Sequence, residues 1–229
     1  MVYSGIVVER NNITEIWDEW YEILLSQEKV MKSRYKPVIG EVINAVTILT
    51  EPRNNILQSA VRKMSIKYAV GELLWYLSGS NKLSDILPYA KFWKDMSDDG
   101  VTLNSAYGYR IHNKYMFDQW EYVKQLLTLD PNSRQAIIHI KEPSPISTKD
   151  LPCTICLQYL LREGALYGTT YMRSNDIWLG FPYDVFAFSC MQTKLAMELG
   201  VELGSYTHIA GSLHLYEGDN DVEKNTLPH

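Results

Sequence analysis

The sequence predicts an α+β domain, because helical apolar stripes and strand-like runs succeed one another over 229 residues with no repeat, low-complexity tract or linker-like stretch between them. Two segments decide the class. Ile66, Ala69, Val70, Leu73, Leu74 and Leu77 recur at helical spacing, so one helix carries a broad apolar face. Residues 154–161 and 165–172 are two strand-like runs joined by Arg162-Glu163-Gly164, a hairpin that offers a sheet for such a face to cover.

The other elements follow in order. Ile13, Ile16, Trp17, Trp20, Ile23 and Leu24 form a first helical stripe, with Asn11-Asn12 supplying a cap. Residues 38–49 read as a strand, and the helix over 66–77 stops near Gly79. A third helix is expected over 117–127, stopped by Asp130-Pro131, then a short strand over 136–140. After the hairpin, residues 183–199 read as a buried helix with Phe188, Met191, Leu195 and Leu199 on one face. The chain is expected to form one domain over 1–229.

Composition narrows the function classes. Hydrophobic residues make up 46% and charged residues 21%, as in an ordinary soluble protein. No apolar run has the length of a membrane span and the N-terminus lacks a signal pattern, so a cytoplasmic protein is expected. A net charge of −5 argues against a general nucleic-acid binder, although a local arginine cluster can still hold a small anion. Three cysteines, Cys153, Cys156 and Cys190, fit a reducing compartment without a disulfide framework. Cys153 and Cys156 form a C-x-x-C, the pattern of a redox pair or half a zinc site. No second Cys/His pair has ligand spacing, and no metal is expected.

The residues able to carry chemistry each have a structural alternative. Cys153, opening a strand after Leu151-Pro152, is either a buried small hydrophobe or a nucleophile. The hairpin sets Arg173 across from it, where a guanidinium favours a thiolate. Arg173 and Ser174 pair a forked donor with a hydroxyl, suited to phosphate oxygens or to a surface salt bridge. Glu72 flanks the buried face of its helix and must be paired, protonated or functional. His214 and Tyr216 alternate along a strand and share a face, as sugar ligands or as a core pair.

In order along the chain stand GELLWYLSG (71–79), FW (92–93), NSAYG (104–108), DPNSR (130–134), LPC (151–153), RSND (173–176), LGFP (179–182) and GSLHLY (211–216). This series resembles the thymidylate synthase superfamily from about residue 13 to residue 217. The resemblance implies a large mixed sheet flanked by helices and a sheet-mediated homodimer. It implies 5,10-methylenetetrahydrofolate as one-carbon donor and a pyrimidine nucleoside monophosphate as substrate. By the same correspondence Cys153 is the nucleophile that adds to pyrimidine C6, and Glu72 handles protons through ordered water. Arg173 and Ser174 bind phosphate, with Arg134 reaching across from a partner subunit and Arg34 on a loop. Asp176, His214 and Tyr216 hold base and sugar, while Trp93, Tyr107 and Gly180 line the folate and base pocket.

Departures from the pattern choose the reaction. Asp184 stands where thymidylate synthases carry asparagine, whose amide answers both the N3–H and the O4 of uracil. A carboxylate accepts from the N4 amino group of cytosine, so Asp184 points to that base. With Thr154 after the cysteine in place of histidine, the chain looks closest to the deoxycytidylate and cytidylate 5-hydroxymethylase branch. Gln135 replaces a second arginine, which implies a weaker or rebuilt phosphate clamp. The short stretch after Tyr216 lacks the tail that closes over folate in thymidylate synthases, an expectation in keeping with hydration of the intermediate.

Overall fold

The computed structural model describes residues 3–27, 31–33, 35–143 and 147–219. Two short strands, β1 (Tyr3–Ser4) and β2 (Val7–Arg10), lead into helix α1 (Ile13–Leu25). Asn12 caps that helix by accepting from the Glu15 N–H at 2.9 Å. Its apolar stripe is buried except for the half-buried Ile23, and its two tryptophans still find partners: Trp20 Nε1 donates to Thr47 Oγ1 and Trp17 Nε1 to the Ile177 carbonyl, both at 2.8 Å. β3 (Val38–Leu49) follows, with buried residues alternating along most of its length. Gly40 on β3 lets α1 come close, since a Cβ there would lie 2.2 Å from the Leu24 carbonyl oxygen.

Helix α2 (Ile66–Ser78) ends at Gly79, which takes φ +68. Three short helices come next: α3 (Leu83–Ile86), α4 (Trp93–Met96) and α5 (Tyr107–His112). Then α6 (Gln119–Leu129), capped by Asp118, leads to β4 (Ile137–His139). β5 (Thr154–Arg162) and β6 (Ala165–Met172) form the expected hairpin, turning on Glu163 (φ 52) and Gly164 (φ 79), the two left-handed residues that a tight hairpin of matching twist requires. The two-residue strand β7 (Asn175–Asp176), the long helix α7 (Phe181–Leu199) and β8 (Glu202–Tyr216) complete the chain.

The strands form one mixed sheet in the order β1-β3-β8-β6-β5-β4, with β2 beside β3 and β7 beside β8. β6 and β8 run parallel, so the chain must cross over between them, and α7 makes the crossing. Buried all round in its first three turns, α7 packs on the sheet and is pinned there by Gln192, whose Nε2 donates to the Leu166 carbonyl at 2.8 Å and the Gly204 carbonyl at 3.0 Å. Among the described residues no helix is long and apolar enough to cross a membrane.

Packing between α2 and α5 fixes where α2 stands. A Cβ on Gly108 would lie 2.0 Å from the Tyr76 carbonyl oxygen, so the two helices meet backbone to backbone. Gly108→Ala should push α5 off α2 and cost about 1–3 kcal/mol of stability. Urea unfolding measures it; an unchanged midpoint would show that this contact relaxes freely.

Candidate active site

The hairpin assembles the first part of the site. Because Thr154 pairs with Met172, the residues just outside the ladder also meet: the Arg173 N–H donates to the Cys153 carbonyl at 2.9 Å. The Arg173 guanidinium then folds back over the turn before β5. Nε donates to the Pro152 carbonyl at 3.1 Å, and Nη2 to the Leu151 carbonyl at 3.2 Å and to Cys153 Sγ at 3.4 Å. The guanidinium favours the thiolate, yet burial outweighs it and leaves the thiol above its ordinary range.

The second part comes from β7, β8 and the start of α7. Asp176 lies opposite His214 in the β7–β8 ladder, and Tyr216, two residues on, stands edge-on to His214 at 4.7 Å between ring centroids. Burial pushes Asp176 up to about 7 although its Oδ1 accepts from the Trp178 N–H at 2.8 Å, and burial also pushes His214 down. In the first turn of α7, Asp184 Oδ2 accepts from Asn175 Nδ2 at 2.7 Å. Gly180 lies alongside; a Cβ there would be 3.0 Å from Asn175 Nδ2 and 3.3 Å from Asp184 Oδ2. Burial first, and then the neighbouring charge of Glu72, hold Asp184 well above the usual carboxylate range.

Glu72 arrives from α2. Its Oε1 accepts from the Tyr68 hydroxyl, one helical turn earlier, at 2.6 Å. Burial pushes Glu72 up to about 7 against the hydrogen bonds of Tyr68 and Tyr76, which lower it. Unfolding therefore releases a proton from Glu72 between the ordinary glutamate range and about pH 7, and its contribution to stability falls as pH rises through that window. Removing the group removes that slope. The stability of Glu72→Gln relative to the wild type should rise with pH between about 5 and 7, by up to about 1.4 kcal/mol per unit. Parallel denaturation curves across that range test this; a constant difference would mean that Glu72 is already ionised at pH 5.

These side chains line two adjoining cavities. The larger, about 750 Å³, is bordered by Cys153, Arg173, Ser174, Asp176, His214 and Tyr216. The smaller, about 350 Å³, lies between Tyr68, Phe92, Trp93, Leu179 and Tyr183, with Glu72 at its edge. Gly180 and Asp184 border both. Two expected residues stand elsewhere. Tyr107 lines neither cavity; it is packed against Tyr76 and Phe188, and its hydroxyl accepts from the Thr154 N–H at 3.4 Å. Arg134 is exposed on the loop before β4 and also lines neither. Arg34 lies outside the described residues. The sequence reading assigned no role to Tyr68 or Asn175. Tyr68 is legible as the i−4 neighbour of Glu72, whereas Asn175 stands within RSND (173–176) without a sign of its partner.

Residues 49–227 match the family model described as thymidylate synthase. The chain belongs to the thymidylate synthase family. It is 36% identical over 213 residues to the "Deoxyuridylate hydroxymethyltransferase" of Bacillus phage SP01, an alignment covering 86% of this chain and 54% of that protein. The chain thus spans about half the length of this curated relative. In fold it is similar to thermostable thymidylate synthase A from Bacillus subtilis (TM-score 0.79, 23% identity, 95% of this chain and 84% of that one). The thymidylate synthase from T4 phage is comparable (TM-score 0.76, 20% identity, 94% and 80%). The thymidylate synthase-like sheet expected from the motifs is therefore the fold observed.

Proposed function

We propose that this member of the thymidylate synthase family is a folate-dependent C5 hydroxymethyltransferase acting on cytidylate or deoxycytidylate. One observation carries the reading: a carboxyl group, Asp184, stands at the junction of a polar cavity that holds the candidate nucleophile and an aromatic one that holds Glu72. Hydroxymethyl transfer is also the reaction in the name of the phage SP01 relative.

The smaller cavity suits a flat heteroaromatic ring, since Phe92, Trp93 and Tyr183 supply ring faces and Glu72 and Asp184 supply polar edges. These residues would hold methylenetetrahydrofolate, which when bound supplies a one-carbon unit at the oxidation level of formaldehyde. In the larger cavity Arg173 and Ser174 take the phosphate, and Asp176, His214 and Tyr216 position base and sugar. Cys153 Sγ forms a bond to C6, which raises the electron density at C5. Glu72, poised near pH 7, accepts the C5 proton, would return it to the nitrogen that leaves the one-carbon unit, and is then free to accept a proton from the water that supplies the hydroxyl. The Sγ–C6 bond breaks after that addition and releases Cys153. Arg134, exposed and outside the cavity, serves the phosphate of a second copy across a sheet-mediated homodimer.

A deoxyuridylate reading is favoured by the relative's name and by the raised pKa of Asp184. A protonated carboxyl can donate to O4 and accept from N3–H, as an amide does. Cytosine is nonetheless the better match. An ionised Asp184 accepts from N4, and a protonated one accepts from N4 and donates to N3, whereas uracil is satisfied only by the protonated form. Incubation with 5-tritiated dCMP and CMP tests the proposal: tritium should be released to water when methylenetetrahydrofolate is present. Binding of either nucleotide without release would make the protein a non-catalytic homologue.

A further inference from the structure

Beneath the junction of the two cavities runs a line of buried polar groups that the proposed chemistry does not use. Thr170, Tyr206, His208 and Asn175 are each 3% exposed or less. The Tyr206 hydroxyl lies 2.8 Å from Thr170 Oγ1 and 3.0 Å from His208 Nδ1. His208 Nε2 lies 2.9 Å from Asn175 Oδ1, and Asn175 Nδ2 lies 2.7 Å from Asp184 Oδ2. The line ends on the carboxyl group that faces the substrate.

Simple donor and acceptor rules order this chain. Burial pushes His208 down to about 3, so the imidazole is neutral and carries one N–H. An amide oxygen only accepts, so the His208 proton is on Nε2 and Nδ1 accepts from the Tyr206 hydroxyl. Thr170 Oγ1, 2.8 Å from the same hydroxyl, is the other partner of Tyr206. Each donor is used once, and the Asn175 amide presents N–H to Asp184.

Building on the cytosine reading of Asp184, we infer that Tyr206, His208 and Asn175 form a positioning relay that makes Asp184 Oδ2 a fixed acceptor and thereby sets which pyrimidine the site takes. Any proton on Asp184 must then sit on Oδ1. Cytosine needs an acceptor opposite position 4 and tolerates a donor opposite position 3; uracil needs the reverse. A carboxyl group free to exchange its two oxygens serves both bases, and a carboxyl group with one oxygen committed serves one. Without the relay the side chain becomes ambidextrous.

The readout is the ratio of kcat/KM for the cytosine nucleotide to that for the uracil nucleotide, measured in competition. Asn175→Leu, which keeps the branching of the side chain and removes the amide, should bring the ratio toward unity by about tenfold or more. Tyr206→Phe, a milder change that removes only the hydroxyl fixing the His208 tautomer, should move it severalfold in the same direction and serves if Asn175→Leu does not fold. Distortion of the site would lower both kcat/KM values together and leave the ratio in place. If Asp184→Asn changes the ratio while both relay variants keep the wild-type value, the relay inference is overturned and the reading of Asp184 stands. If Asp184→Asn also leaves it unchanged, both fall.

Discussion

Cys153→Ser should lower turnover by at least about a thousandfold, a loss of roughly 4 kcal/mol of transition-state stabilisation. The size follows from the chemistry assigned to the thiol. A serine hydroxyl is a far weaker nucleophile at neutral pH, and the side chain that meets Sγ, Arg173 through Nη2 at 3.4 Å, is a donor that cannot deprotonate it. Nucleotide affinity should change little, because Arg173, Ser174, Asp176 and His214 remain. Single-turnover kinetics with tritiated nucleotide separates the two quantities. A serine variant that retains a tenth of the wild-type rate would remove covalent addition at C6 from the account.

Asp184→Asn should shift preference toward the uracil nucleotide by about 10–100-fold, the equivalent of one or two hydrogen bonds gained on one base and lost on the other. The amide is close in size, and turned with its N–H₂ opposite position 4 and its oxygen opposite position 3 it donates to O4 of uracil and opposes N4 of cytosine, giving up the acceptor that Asn175 now meets at Oδ2. The variant should also be the more stable protein above neutral pH, since it no longer buries a carboxyl group that burial and Glu72 hold well above its ordinary range. Equal use of both bases by wild type and variant would mean that another group selects the base.

Much of this site was legible in the sequence because its parts sit at the ends of regular elements. Thr154 and Met172 close the hairpin, so Cys153 and Arg173 had to meet, and a turn over Glu163-Gly164 was enough to see it. Glu72 showed itself as an acid beside an apolar helix stripe, but the stripe is not the buried face. Ile66, Val70 and Leu74 are exposed, and α2 instead buries Tyr68, Ala69, Glu72, Trp75 and Tyr76, whose aromatic and polar members hide the periodicity. The expected bounds of 38–49 and 165–172 agree with β3 and β6. The third helix runs over Gln119–Leu129, two residues later than expected, because Asp118 accepts from the Trp120 and Glu121 N–H groups and so caps it there.

What stayed hidden has physical causes. Helices of four to six residues, such as α3, α4 and α5, are too short to show a period. β8 begins at Glu202, well before the motif that revealed its end, because its inward positions carry Tyr206 and His208 in place of aliphatic residues. The alternation of burial is intact there, but the hydrophobic signal is not. The same two residues form the relay behind Asp184, so the feature that concealed the strand is also the one that separates this site from a plain apolar sheet face. Tyr107 was expected on the cavity wall and supports Thr154 from beneath instead, a distinction between neighbouring packing layers that motif position does not encode.

The most direct test of the central claim is mass spectrometry of the products formed from methylenetetrahydrofolate and an equimolar mixture of CMP, dCMP, UMP and dUMP. A hydroxymethyl adduct on a cytosine nucleotide is expected, absent with Cys153→Ser. A hydroxymethyl or methyl group found only on a uracil nucleotide would contradict it.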